Sequence, residues 1–159
     1  MNSHPDAAPR SPRLPRWCFH AGCFFAMLFG VGHFFGFLSG MLAKDLDPDT
    51  ARLFETMRTS LLPVPGRPAP MLDVYRYFSG VFSVLLWVFA ASAWCAVRLA
   101  SNPAQARRAF ALLGLVLFAT LMAFAIYFGV APGIGGAAAP LVCFVWVLLT
   151  ERRPPQLAS

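Results

Sequence analysis

Apolar positions in this chain come in long unbroken blocks, not in alternation and not on one helical face. Three blocks cover residues 17–41, 78–100 and 109–130. A fourth, shorter one runs over about residues 134–150 and contains Pro140. The first three reach the ~20 residues that carry a helix across hydrocarbon, and the fourth sits at the lower limit of ~17. In lipid every backbone N–H and C=O must be paired within its own segment, so continuous blocks predict four transmembrane helices. A β-barrel would need alternation. The predicted fold class is all-α, a four-transmembrane-helix bundle over residues 17–150. A proline-rich tail, residues 1–16, and a polar tail, residues 151–159, are expected to be disordered. Arg10, Arg13 and Arg16 precede the first block as in a signal peptide. That block is about twice the usual apolar core and no A-x-A site follows, so it is predicted to stay as a helix.

Between the first two blocks the pattern changes to helix grammar. Asp47 can cap, Pro48 suits a first helical position, and Asp49 suits the positive helix end. Leu53, Met57 and Leu61 repeat every four residues beside Phe54, and Pro63 and Pro65 follow. This predicts a short amphipathic helix over about residues 48–62, either a packed loop helix or a lid on the membrane surface.

Composition settles the solvent. Apolar residues make up 58% of the 159 and charged residues 13%, about half the share usual in soluble domains. The net charge of +6 therefore points to arginines at a membrane surface. With one lysine and no compact basic cluster among exposed aromatics, nucleic acid is not an expected partner. Arg10, Arg13, Arg16, Arg98, Arg107, Arg108, Arg152 and Arg153 fall on one side of a four-span chain. The other side holds Lys44, Arg52, Arg58, Arg67 and Arg76 among five acids. This bias predicts a multi-pass protein of the inner (plasma) membrane with both termini cytoplasmic. The first loop, and a tight third loop at residues 131–136, would then be exoplasmic.

Catalytic motifs are lacking: no GxSxG, HExxH or P-loop pattern occurs. Cys18, Cys23, Cys95 and Cys143 form no CxxC pair, so no metal site is expected. His20 and His33 lie about 20 Å apart by helix rise and cannot share a haem. No cofactor is expected.

Candidate chemistry gathers in the outer half. Gly32, Gly36 and Gly40 form one small-residue row on the first helix, and Gly22, Ala26 and Gly30 a second. Such rows let helices approach closely, within one chain or between copies, so a homo-oligomer through this face is one expectation. His33 sits among them, about 6 Å beyond the span centre. An ionisable group at that depth is a functional candidate by default. Its structural alternative is an imidazole bonded to a neighbouring helix. The candidate cavity is lined by His33, Gly36, Arg58, Asp73, Tyr75 and Tyr127.

Short motifs carry a resemblance. They are the Gly32–His33 pair followed by glycine, Met57–Arg58 ending the loop helix, and Asp73-x-Tyr75 before Gly80. Tyr127–Phe128 followed by Pro132 completes the set. Over about residues 17–150 the chain resembles a family of small bacterial four-helix integral membrane proteins of unknown function. The resemblance implies the architecture and picks out these positions. It implies no activity.

Three functions remain open on these grounds. One is binding of a lipid or other hydrophobic small molecule in an outer-leaflet-facing cavity. The second is an enzyme acting on a lipid- or quinone-like substrate with His33 as acid/base. The third is a structural or assembly protein. Transport fits less well, since no internal repeat is evident.

Overall fold

A computed structural model describes residues 13–42 and 46–151. In chain order it holds α1 (Arg13–Leu42), α2 (Pro48–Thr59), the two-residue strands β1 (Leu61–Leu62) and β2 (Ala69–Pro70), α3 (Met71–Leu99), α4 (Pro103–Tyr127) and α5 (Ala131–Thr150). Helix makes up 85% of the described residues. Stretches of α1 (Arg13–Gly36), α3, α4 and α5 are each long and apolar enough to cross a membrane. Of the tails expected over residues 1–16 and 151–159, residues 1–12 and 152–159 lie outside the described residues, as does Lys44.

Helix ends follow local chemistry. α1 starts at Arg13, before the expected residue 17, with Pro15 in its first turn, where a missing N–H breaks no helical bond. The Asp47 carboxylate caps α2, accepting from the amides of Asp49 at 3.1 Å and Thr50 at 3.0 Å. α2 stops at Thr59, short of residue 62. Ser60 is extended, and Leu61–Leu62 pair antiparallel with Ala69–Pro70. Residues before proline favour extended backbone, and Leu62, Val64 and Arg67 all precede one. Gly66, at φ +98°, turns the chain between the strands. The Met71 amide then donates to the Ser60 carbonyl at 2.8 Å, and α3 begins at once. Asp73 and Tyr75 are thus helical, not in a loop.

The hydrogen bonds at Asp47, led by that with the Thr50 side chain, hold its carboxyl below the usual range. A depressed folded value means the cap is present above the ordinary carboxylate pKa of ~3.9 and lost as pH falls through the folded value. We expect amide-exchange protection at Asp49 and Thr50 to persist at neutral pH and to fail only in that acid range. In Asp47→Ala it should be missing throughout. Equal protection in both proteins would contradict this.

Two compact units divide the chain, and α1 and α3 pass through both. In the unit comprising described residues 13–24 and 93–151, α4 and α5 form an antiparallel hairpin. Gly129, at φ +69°, ends α4. The Gly129 amide donates to Ile126 O at 3.1 Å and the Val130 amide to Ala125 O at 2.8 Å. This is the bonding of a Schellman turn, which needs a left-handed residue. The turn therefore lies at residues 128–130. Residues 131–136, expected as a loop, form the first turns of α5.

Along the hairpin Arg107, Ala111, Gly114, Phe118 and Ala125 of α4 are buried, as are Ala137, Pro140, Phe144 and Val147 of α5. The three- and four-residue spacing puts each set on one stripe. At the centre is Phe144, stacked on Phe118 at 6.0 Å and met edge-on by Phe19 of α1 at 6.2 Å. A Cβ added at Gly22 would lie 2.9 Å from its ring, and one at Gly114 2.5 Å. Both glycines are needed where this ring fills the space between helices.

In the unit of residues 25–92, α1 and α3 meet at Gly30. A Cβ there would lie 2.7 Å from Trp87 Nε1 and 3.1 Å from Ser83 O. Phe29 packs edge-on against Phe82. The row that packs is thus Gly22–Ala26–Gly30, with Ala26 fully buried. A Cβ on Gly32 or Gly36 would meet nothing within 4 Å. The surroundings of Gly40 lie outside the described residues.

Candidate functional site

His33 lies one turn beyond Gly30 on α1 and is half-buried. Its ring stands edge-on to Phe82 of α3, centroids 4.9 Å apart. Among the described residues no side chain or carbonyl hydrogen-bonds to either ring nitrogen. The helix surface at Gly32 and Gly36, on either side of it in sequence, is open to an added Cβ.

A second polar group in this unit lacks a partner. The Trp87 indole N–H is buried against Gly30 with no acceptor, and its ring lies 5.9 Å from Phe34. A buried N–H without an acceptor costs about 1–3 kcal/mol. Ser83 Oγ, one turn before it on α3, donates to the Ser79 carbonyl at 3.1 Å and does not accept from the indole.

The remaining candidates pair locally. Asp73 accepts from Arg76 at 3.3 Å, one turn along α3, and Arg76 Nε is buried without a partner. Arg58 faces Glu55 at 3.6 Å with both side chains exposed, a type of pair worth little in water. Tyr75 is exposed. Tyr127 belongs to the other unit, where it is exposed with its ring edge-on to Phe128. Among the described residues no hydrogen bond or ion pair joins His33 to Arg58 or Asp73. Among the described residues no group of three metal-ligating side chains occurs.

Sequence reasoning missed a charged site in the unit holding α4 and α5. Arg107, at the start of α4, places Nε and Nη2 each 2.6 Å from Glu151 Oε1. Only 8% of the arginine and 10% of the glutamate side chain is exposed. Arg108 Nη1 donates to the Glu151 carbonyl at 3.0 Å. One signal could have found it. Glu151 is an acid one residue past the last apolar block, and an antiparallel hairpin brings that position to the Arg107–Arg108 pair.

Comparison with known protein families, curated proteins and solved structures finds no match to this chain.

Proposed function

We propose that this is a multi-pass inner-membrane protein, both termini cytoplasmic, that binds a hydrophobic small molecule carrying a hydrogen-bonding group. The site is the outer-leaflet half of α1 and α3 around His33. In this reading α2 is an exoplasmic amphipathic helix over the site, and Gly36, Arg58, Asp73 and Tyr75 border it. The observation that carries it is a half-buried imidazole with no protein hydrogen bond beside open helix surface. In hydrocarbon no bulk water satisfies such a group. A ligand carbonyl or hydroxyl would. The Trp87 N–H adds a second unmet donor in the same unit.

The test is thermal unfolding of the purified protein with a short-chain benzoquinone and a monoacylglycerol as probes. A ligand at about one hundred times its dissociation constant adds about 2.7 kcal/mol, a rise on the order of 5–10 °C for a chain this size. The rise should be absent in His33→Phe, which keeps an aromatic edge on Phe82 without nitrogen. Equal rises in both proteins would exclude His33 from the site.

The open Gly32–Gly36 surface favours a second reading, a contact between copies of the chain. Gly36→Leu separates the two: loss of an oligomer on native gels supports assembly, whereas an unchanged oligomeric state with lost probe binding supports the ligand site.

A further inference from the structure

The α4–α5 hairpin brings three charged residues to one end. Arg107 and Arg108 lie in the first turns of α4, and Glu151 follows the last residue of α5. Direct contacts hold them together. Arg107 Nε and Nη2 each lie 2.6 Å from Glu151 Oε1. Arg108 Nη1 donates to the Glu151 carbonyl at 3.0 Å, satisfying one of the carbonyls that a helix end leaves without a partner.

The pairing is lopsided. The Nε–Nη2 edge of an arginine matches the two oxygens of a carboxylate, one nitrogen to each. Here one oxygen takes both nitrogens, and Glu151 Oε2 is buried with no partner. The glutamate side chain is nine-tenths buried, so bulk water does not compensate that oxygen. Beside it, Arg108 is half-buried, and its Nε and Nη2 have no acceptor among the described residues. One hydrogen bond thus joins a residue with an unused acceptor to a residue with unused donors. Two guanidinium groups against one carboxylate leave the cluster net positive.

The surface below the cluster is apolar. Leu112 and Val116 follow Arg108 at four-residue steps along α4, so the three share a face, and both are exposed. α4 is long and apolar enough to cross a membrane, and Arg108 stands near its start, at the level where a span meets the headgroup layer.

We infer that Arg108 and Glu151 hold the headgroup of a phospholipid that carries a hydrogen-bond donor, an amine or a hydroxyl, as well as its phosphate. The phosphate oxygens accept from the free edge of Arg108. The headgroup donor goes to Glu151 Oε2, a charge-assisted bond. An acyl chain follows Leu112 and Val116. Arg107 keeps Oε1 and so fixes the carboxylate. Basic pockets at membrane edges recognise headgroups by their phosphates; the unused acceptor adds a demand for a donor. This site is separate from that around His33, which belongs to the other unit.

The test is native mass spectrometry of the full chain in detergent, titrated separately with phosphatidylethanolamine, phosphatidylglycerol and phosphatidylcholine. Phosphatidylethanolamine should be retained about tenfold more tightly than phosphatidylcholine, whose methylated nitrogen donates no hydrogen bond. Phosphatidylglycerol, which donates through hydroxyls, should also exceed phosphatidylcholine. In Glu151→Gln the amide oxygen faces Arg107 and its NH2 takes the place of Oε2, so the preference for phosphatidylethanolamine over phosphatidylcholine should vanish. Arg108→Gln should weaken both lipids and keep their ratio. Arg52→Gln removes an exposed arginine of the other unit and should change neither. Ratios are read on the folded protein, so lost stability does not imitate lost selectivity. The wild-type ratio and Arg108→Gln also decide the matter if Glu151→Gln does not fold. Equal retention of phosphatidylethanolamine and phosphatidylcholine by the wild type overturns the inference, as does a preference that survives Glu151→Gln, or retention unchanged in Arg108→Gln. Phosphatidylglycerol bound above two equal lipids overturns it too, because net charge alone would then be read. So does a melting-temperature rise from millimolar O-phosphoethanolamine equal to that from the lipid, because the site would then serve a soluble molecule.

Discussion

Glu151→Ala should be the most damaging single substitution outside the apolar core, at roughly 3–5 kcal/mol. The reason is what it leaves behind. Arg107 is 6% exposed and sits on the buried stripe of α4. Its Nε and Nη2 both use Glu151 Oε1. Without the carboxylate, a guanidinium that cannot deprotonate is held in low dielectric with no counter-charge. Glu151→Gln keeps an acceptor oxygen and should cost less than Glu151→Ala. Removing both charges in Arg107→Met/Glu151→Leu should restore most of the loss, since a buried pair often gains little over apolar residues of similar volume. Thermal unfolding in detergent measures this: a fall on the order of 10 °C for Glu151→Ala, largely recovered in the double variant. A double variant as unstable as the single one would contradict the charge argument. It would place the effect in packing or in the Arg108 contact to the Glu151 carbonyl.

The second large effect is expected at Phe144. Its ring is fully buried and touches Phe118 and Phe19, with Gly114 and Gly22 making room for it. Phe144→Ala leaves a cavity that three helices would have to collapse around, at about 3–5 kcal/mol. Gly114→Ala acts in the opposite sense. Its new methyl would lie 2.5 Å from Phe144 Cδ2 and 2.9 Å from Cγ, so the ring must shift, at about 1–3 kcal/mol. The two sites should couple. Gly114→Ala combined with Phe144→Leu should lose less than the sum of the single changes, by about 0.5–3 kcal/mol in a double-mutant cycle. Strict additivity would show that the ring is not wedged against Gly114.

Much of the fold was legible because lipid imposes one rule on the backbone. A continuous apolar block has to be helical, so the four long helices could be read from the sequence. Their ends could not, because they are decided by specific bonds. α3 starts early because the Ser60–Met71 bond closes a small hairpin. The third loop shrinks to three residues because Gly129 accepts a left-handed turn. Glycines show the same limit. Two rows in α1 looked equivalent by spacing, yet Gly22, Ala26 and Gly30 are packed, whereas a Cβ at Gly32 or Gly36 would meet nothing within 4 Å. What distinguishes them is the partner ring, Phe144 or Trp87, on another helix. The Arg107–Glu151 pair was hidden for a similar reason. Each residue alone reads as a membrane-edge charge, and only the hairpin register makes them one buried unit. His33 stood out because a titratable group in an apolar block is costly. Whether its nitrogens meet another helix depends on side-chain positions that periodicity does not carry.

The central claim is that His33 serves a molecule other than the protein itself. The most direct measurement is a native mass spectrum of the protein released intact from its own membranes, compared with His33→Phe prepared the same way. A hydrophobic molecule in the wild-type spectrum, carrying a carbonyl or hydroxyl and lost in the variant, is the predicted result. The same unliganded mass, or the same retained molecule, in both proteins would contradict it.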